Sequence, residues 1–168
     1  VTANLDSSGM PFQGPYNNNE HHPVYWKNGV ITNLSIDGIA SSLYVSGTDV
    51  YVSGDEDSSN KYLPTYWKNG TAIRLPIPAL TGEYLYGIAA SIFESENGLD
   101  IAGYIEAVSN KNPAIYWHNS IDVTLPTENN LYGQPYSIFV TPNNDVYVSG
   151  EVLNNNSFFA VYWKNGVM

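Results

Sequence analysis

The sequence predicts an all-β fold built from repeated units of four short strands. A corner motif that contains every tryptophan recurs along the chain, and a second hairpin pattern recurs out of phase with it. The composition agrees, with 14 Tyr, 14 Gly and 10 Pro residues. Aromatic side chains suit the packed faces of pleated sheets, whereas Gly and Pro suit turns. No stretch shows sustained helical periodicity.

The corner motif is Tyr-Trp-Lys-Asn-Gly. It begins at Tyr25, Tyr66 and Tyr162, and a weaker form, YWHNS, begins at Tyr116. Asn-Gly after an apolar run tolerates positive φ and predicts a type I′ β-hairpin. The motif glycines expected in these turns are Gly29, Gly70 and Gly166. Adjacent Tyr and Trp side chains point to opposite faces of a strand, so both faces should pack against apolar neighbours, as in stacked sheets.

The second pattern is a hairpin whose second strand reads VYVSG or a close variant. Its three copies pair 39–45 with 50–54, 88–93 with 100–104, and 136–140 with 145–150. Together the two hairpins make one unit of four strands in about 45 residues, the length of a β-propeller blade.

If the strands of one unit are lettered A to D, the second unit places them at 39–45, 50–55, 62–67 and 71–75. Residues 1–5 align with strand B, and a long polar loop, Asp6–Pro23, precedes the first corner. The chain then reads BCD, ABCD, ABCD, ABC, or about 3.5 to 4 blades in one domain. The approximate units are 1–35, 36–78, 79–128 and 129–168.

This frame leaves three arrangements open. In the first arrangement, the chain is part of a larger propeller of about six to eight blades. In the second, two copies form a larger ring, and in the third, four blades form a ring with defective closure.

Composition excludes several function classes. The formal net charge of −10 argues against nucleic acid or an anionic membrane as a partner. Cysteine is absent, which excludes a disulfide, a thiolate zinc site and a cysteine nucleophile. The sequence contains no run of 18 apolar residues, no serine nucleophile elbow and no phosphate-binding glycine loop.

The order of inner strand, turn, DVYVSG, polar loop and YWKNG resembles a known repeat. It is similar to secreted bacterial propeller repeats in which an RWDG corner occupies the place of YWKNG, and to repeats of Bacteroidota surface lipoproteins with close variants of YWKNG and VYVSG. The resemblance covers almost the whole chain. It implies a β-propeller in an extracellular or cell-surface location, but no particular activity, since propellers serve many functions.

The four tryptophans, Trp26, Trp67, Trp117 and Trp163, have two interpretations. They could stack on sugar rings. Their occurrence once per unit at a fixed corner favours packing between neighbouring blades, with the indole N–H bonded to a loop carbonyl. His118 replaces the motif lysine in the third unit and is interpreted as a surface substitution.

Candidate ligand-binding residues lie in two segments that are expected to form loops at one end of the ring. One is the long loop Asp6–Pro23 and the other is Ala79–Tyr86. The residues singled out are Tyr16, His21, His22, Tyr84 and Tyr86.

Metal binding has weak support in the sequence. Glu20, His21 and His22 are adjacent, but neighbouring side chains on an extended chain diverge, so an exposed loop is expected. Asp55 and Asp57 are oxygen ligands of the kind that Ca²⁺ prefers. Their segment lacks the glycine and distal glutamate of an EF-hand, so a solvated polar turn is expected and no metal or other cofactor is predicted.

The sequence therefore favours a non-catalytic extracellular or surface β-propeller that binds a protein or glycan ligand or serves as a structural module. One alternative is a fragment of a propeller enzyme that acts on polysaccharide, with catalytic residues in other blades. Another is a subunit of an assembly, in which a second chain completes open sheet edges.

Overall fold

Antiparallel β-strands supply nearly all the regular structure of the chain. The computed structural model describes residues 2–5, 21–35, 37–58, 61–79, 84–107, 112–127 and 132–168, and these ranges contain no α-helix. The all-β prediction is confirmed. Within the same ranges, no helix has the length and apolarity that a membrane crossing requires.

The strands form four consecutive meanders, here named S1 to S4. S1 contains β1 (Thr2–Leu5), β2 (His22–Lys27) and β3 (Val30–Asn33). S2 contains β4 (Gly38–Ser46), β5 (Asp49–Asp57), β6 (Tyr62–Lys68) and β7 (Thr71–Arg74). S3 contains β8 (Tyr84–Ser95), β9 (Gly98–Ala107), β10 (Ala114–His118) and β11 (Ile121–Thr124). S4 contains β12 (Gly133–Val140), β13 (Val146–Asn154) and β14 (Ser157–Lys164).

Strands that follow one another within a meander pair antiparallel, so each meander is laid down in chain order. A single parallel pairing between Tyr62 of β6 and Tyr86 of β8 connects S2 to S3. No strand pairing joins S1 to S4 in the described ranges.

The Asn-Gly corners are hairpin turns, as predicted. Lys68 pairs with Thr71 across the turn of S2, where Asn69 and Gly70 have φ values of 51° and 85°. The asparagine also bonds the neighbouring strand, because its Oδ1 accepts a hydrogen bond of 2.9 Å from the Val50 amide. This bond gives the motif asparagine a role beyond its tolerance of positive φ.

The repeated glycine of the VYVSG pattern permits a close approach between strands. β4 and β5 have a bulge between Ala40 and Ser42, opposite Gly54. A Cβ on Gly54 would lie 1.8 Å from the Ile39 carbonyl oxygen. A Cβ on Gly103 or Gly150 would lie 1.9 or 2.3 Å from a backbone carbonyl oxygen in S3 or S4, so only glycine fits at this position of each repeat.

The core lies between consecutive sheets rather than inside any one of them. Three apolar clusters fill the S1–S2, S2–S3 and S3–S4 contacts. The leucines that follow the strand after each corner, Leu34, Leu75 and Leu125, belong to one cluster each. Each sheet is thus covered by the next, and stacking buries both faces of the middle sheets.

One segment departs from expectation. The acidic stretch that begins at Asp55 was expected to be a solvated turn, but β5 continues to Asp57. The Asp55 side chain is fully buried. The turn interpretation was wrong because it ended the strand at residue 54 or 55, whereas the strand pairs with β6 as far as Asp57.

Candidate functional site

A cavity of about 420 Å³ opens at the end of the sheets where β4 and β8 begin and β5 and β9 end. S1 contributes one residue to its lining, S2 two and S3 three. They are His21, Ile39, Tyr62, Tyr86, Tyr104 and Glu106. The volume lies within the range of small-molecule sites, and three tyrosines give the cavity an aromatic wall.

The parallel pairing of β6 with β8 places Tyr62 beside Tyr86. Their ring centroids are 5.6 Å apart at an interplanar angle of 63°. Gly87 makes this approach possible, since a Cβ there would lie 2.9 Å from Pro64 Cδ at the start of β6. Any larger residue at position 87 would push β8 away from β6 and separate the two rings.

Tyr104 completes the aromatic wall from the neighbouring strand. Its ring centroid is 6.1 Å from that of Tyr86. The register between β8 and β9 shifts between Tyr84 and Tyr86, and such bulges re-aim side chains near binding sites. Burial is the main cause, and nearby charges the lesser one, of a rise in the pKa of Tyr104 to about 12. Its hydroxyl therefore stays protonated at neutral pH.

Asp55 lies beneath the aromatic wall. Its Oδ2 accepts a hydrogen bond of 3.2 Å from the Tyr86 hydroxyl, whereas Oδ1 is buried without a hydrogen-bond partner in the described part of the chain. Burial raises the pKa of Asp55 to about 7, and the bond from Tyr86 offsets only part of this rise. The carboxyl group therefore fixes the orientation of Tyr86 and titrates close to neutral pH.

His21 lines the cavity from S1. It is 5% exposed, and its backbone amide donates a hydrogen bond of 3.2 Å to Asp37 Oδ1. The expectation of an exposed loop at His21 was wrong, because the residue is buried and lines the cavity together with residues of S2 and S3. Glu106 is exposed at the rim of the cavity and supplies a carboxylate there.

The structure brings together two of the candidate ligand-binding residues, His21 and Tyr86. His22 is half-buried as the first residue of β2. Tyr84 is the first residue of β8, and Tyr16 lies outside the described residues.

The weak calcium candidates do not form a metal centre in the described ranges, where no three His, Asp or Glu side chains are grouped to hold an ion. Asp55 instead lies beneath Tyr86, and Asp57 is half-buried at the end of β5.

The repeated tryptophans lie between sheets rather than in the cavity. Trp117 and Trp163 are fully buried, and their indole N–H groups donate hydrogen bonds of 2.9 and 2.6 Å to the carbonyls of Pro76 and Pro126, which follow the last strand of the preceding meander. Trp67 is also fully buried, and Trp26 is half-buried. These contacts support the packing interpretation, since the three buried indoles have no free face for a sugar.

A separate polar cluster breaks the repeat in S3. Asp100 is 1% exposed, and its Oδ1 lies 2.6 Å from the Tyr116 hydroxyl and 2.8 Å from His118 Nδ1. Ser95 donates to Oδ2 at 3.1 Å. His118 is therefore more than a surface substitution, because it pairs with a buried carboxylate. Since Ser95 contacts Asp100 rather than the imidazole, the cluster lacks the serine–histidine contact of a nucleophilic triad.

Sequence reasoning did not identify four of the lining residues, Ile39, Tyr62, Tyr104 and Glu106. A signal was present in the residue that follows the repeated glycine of strand B. Asp55, Tyr104 and Glu151 occupy this place in successive units. The residue type changes from unit to unit at this position, whereas the glycine before it is the same in all three units. The position lies at the end of the sheets where the cavity opens.

No protein-family model and no curated protein matches this chain. Among solved structures, the chain is similar to a fucose lectin from Kordia zhangzhouensis, determined in complex with methyl-fucoside. The sequence identity is 16%, the similarity covers 74% of this chain and 92% of that chain, and the TM-score is 0.50. At this identity, the similarity supports a shared β fold and nothing more specific.

Proposed function

We propose that the protein is a carbohydrate-binding module of the β-propeller type, displayed outside the cell, and that the cavity beside Tyr86 binds the sugar. The observation that carries the proposal is the chemistry of this cavity. Three tyrosine rings form one wall, and a glutamate, a histidine and tyrosine hydroxyls supply polar contacts. Sugar rings present both C–H faces and hydroxyl groups, and this lining suits both.

The rigidity of the wall favours binding at low entropic cost. Tyr62, Tyr86 and Tyr104 contact one another, and Asp55 holds the Tyr86 hydroxyl. Tyrosine offers a large contact area with few rotatable bonds, so little conformational freedom is lost when a ligand docks. The aromatic wall is therefore preorganised for a ligand.

The propeller assignment is supported by the order of strands. Each of S2 and S3 is a four-stranded antiparallel meander in chain order, and consecutive sheets pack face to face. The fold neighbour is described as a fucose lectin, which agrees with a sugar-binding role for this chain. The extracellular location rests on the resemblance to secreted and surface repeats.

A glycan array probed with the labelled protein tests the proposal. Wild-type protein should bind a defined set of glycans, and Tyr62→Ala should weaken that binding. Removal of one aromatic ring from the wall should weaken the binding free energy by about 1.5–3 kcal/mol. This corresponds to a rise in Kd of about 10-fold to 150-fold.

Tyr136→Ala is the matched control, since Tyr136 is 52% exposed on β12 and does not line the cavity. Array binding that Tyr62→Ala leaves unchanged would place the sugar elsewhere. A folded protein that binds no glycan would refute the proposal.

A second function has one specific observation in its favour. Asp55, buried beneath Tyr86 with a pKa of about 7, and Glu106, which lines the cavity, are two carboxyl groups in different environments. Glycoside hydrolases use such a pair. Release of reducing sugar from an array-positive polysaccharide, lost in Glu106→Gln but retained in Tyr136→Ala, would favour this function. Binding without turnover would exclude it.

A further inference from the structure

A second cavity opens between S3 and S4. Its volume is about 300 Å³, which is at the lower end of the range for small-molecule sites. It is lined by the end of β8 with the turn that follows, and by the end of β12 with its own turn. The cavity beside Tyr86 lies where β8 begins, so the two cavities are at opposite ends of this strand. The second cavity is here named the S3–S4 groove.

Two phenylalanine rings line the S3–S4 groove. Phe93 of β8 and Phe139 of β12 have ring centroids 5.2 Å apart and an interplanar angle of 66°. Because the rings meet edge to face and do not stack, parts of their faces are not covered by each other. The face of an aromatic ring carries partial negative charge and attracts cations. The two rings therefore favour a cation over an anion as the ligand of this groove.

The charged side chains that line the groove are both acidic, Glu94 and Glu96. Glu94 is half-buried, and its Oε1 accepts a hydrogen bond of 2.7 Å from the Tyr51 hydroxyl, which holds the carboxylate in place. Ser95 also lines the groove and donates a hydrogen bond to the buried Asp100, which adds a third carboxyl group behind the lining. Among the described residues, no lysine or arginine lines the groove or forms an ion pair with either glutamate.

S3 lacks the ammonium group that S2 and S4 hold at this end of the sheets. In S2, Lys68 Nζ lies 5.0 Å from the centre of the Tyr51 ring and 2.8 Å from Asp49 Oδ2. S4 repeats this arrangement with its own lysine, which lies 5.2 Å from a tyrosine ring. In S3, His118 lies opposite Asp100, at the register position where S2 has Lys68 opposite Tyr51. The unit that carries the two glutamates is thus the one in which the lysine is replaced.

We infer that the S3–S4 groove binds a small organic cation that carries an alkylated ammonium group. The cation would lie against the faces of Phe93 and Phe139, with the Glu94 carboxylate beside it. Alkylated ammonium groups suit such rings because they are weakly hydrated and present C–H groups to the ring faces. Since Glu94 already accepts one hydrogen bond, a cation with few N–H donors fits the remaining lining better than a bare ammonium group. Cation binding here does not depend on carbohydrate binding, because no residue of the groove lines the cavity beside Tyr86.

A two-dimensional NMR titration with choline tests the inference. The control ligand is the neutral carbon isostere of choline, in which a tert-butyl group replaces the trimethylammonium group. Choline should shift the backbone amides of Phe93, Glu94 and Phe139 in a saturable manner. The isostere has the same shape but no charge, so it should bind at least about 5-fold more weakly.

Two variants test the separate contributions of ring and carboxylate. Phe139→Leu removes one ring and should raise the Kd for choline by about 2-fold to 30-fold. Its matched control is Phe159→Leu, since Phe139 is 54% and Phe159 51% exposed, and only Phe139 lines the groove. Glu94→Gln keeps an acceptor for the Tyr51 hydroxyl but removes the charge, so it should weaken the binding of choline and not that of the isostere. Glu151→Gln, which makes the same change in a half-buried residue of β13 outside the groove, should leave both unchanged.

Glycan binding by Phe139→Leu should equal that of the wild type, so failure of the cation site and failure of the sugar site are distinguishable. Circular dichroism identifies a variant that has failed to fold, and the comparison of choline with its isostere on wild-type protein needs no variant. Equal affinities for the two ligands would overturn the inference. Choline shifts confined to Tyr86 and Tyr104, or no saturable shift in the millimolar range, would overturn it as well.

Discussion

Replacing Asp55 with asparagine should make the protein more stable above neutral pH and remove one part of its pH dependence. The carboxyl group is fully buried beneath Tyr86, and burial raises its pKa from 3.8 to about 7. Between these values the folded chain holds a proton that the unfolded chain releases. The contribution of Asp55 to the free energy of unfolding is therefore fully present below about pH 4. It falls as the pH rises and reaches its minimum above about pH 7.

The size of the effect follows from the shift in pKa. At about 1.4 kcal/mol per pH unit, a rise from 3.8 to about 7 corresponds to at most about 4 kcal/mol lost at pH 8. Asparagine carries no charge at any pH and can still accept the Tyr86 hydrogen bond through its amide oxygen. For a domain of this size, about 4 kcal/mol corresponds to a Tm higher by about 8–16 °C.

Thermal unfolding of wild type and Asp55→Asn at half-unit steps from pH 4 to 8.5 measures the effect. The difference in Tm should be small at pH 4, grow up to pH 7 and then level off. Asp122→Asn is the control, since it removes the same charge from a half-buried residue on β11 outside the cavity. Parallel profiles for wild type and Asp55→Asn would refute the reasoning, because they would mean that Asp55 titrates alike in both states.

Two further predictions concern packing between and within sheets. Trp117→Phe removes the hydrogen bond to the Pro76 carbonyl and part of a buried ring, so the free energy of unfolding in urea should fall by about 2–4 kcal/mol. Trp26 is half-buried, and Trp26→Phe should lower the same free energy by less than about 1 kcal/mol. Equal losses in the two variants would contradict the burial pattern. Gly103→Ala places a Cβ 1.9 Å from the Ile88 carbonyl oxygen and should cost more than about 3 kcal/mol, whereas Gly29→Ala, in open space with φ +81°, should cost about 1–2 kcal/mol. Comparable stability of the two alanine variants would show that β8 and β9 do not approach closely at Gly103.

The order of strands could be predicted from the sequence because local signals specify it. Asn69-Gly70 is a strong local signal for a hairpin turn, and the alternation before Trp67 predicts a strand with two packed faces. The recurrence of both signals gave the meanders in chain order. Strand ends were less predictable, as β5 shows, since the pairing partner rather than the turn decided where it stopped.

The site was harder to predict because it depends on contacts between units. Tyr62 and Tyr86 meet through one parallel pairing between separate meanders, which no local pattern encodes. From the sequence, Asp55 is expected to be an acidic residue in a loop. Only its contact with Tyr86 in the structure identifies it as a buried carboxyl group. His21 and Tyr86 were singled out because their segments were expected to be loops at one end of the ring, and the structure places both residues at the cavity.

The location of sugar binding tests the central claim most directly. In a two-dimensional NMR titration with the strongest glycan from the array, backbone amide shifts should change for Ile39, Tyr86 and Tyr104 around the cavity and remain unchanged near Asp100 and His118 in the S3 cluster. Shifts concentrated at the S3 cluster, or on the exposed face around Tyr162, would contradict the assignment of the aromatic cavity as the sugar site.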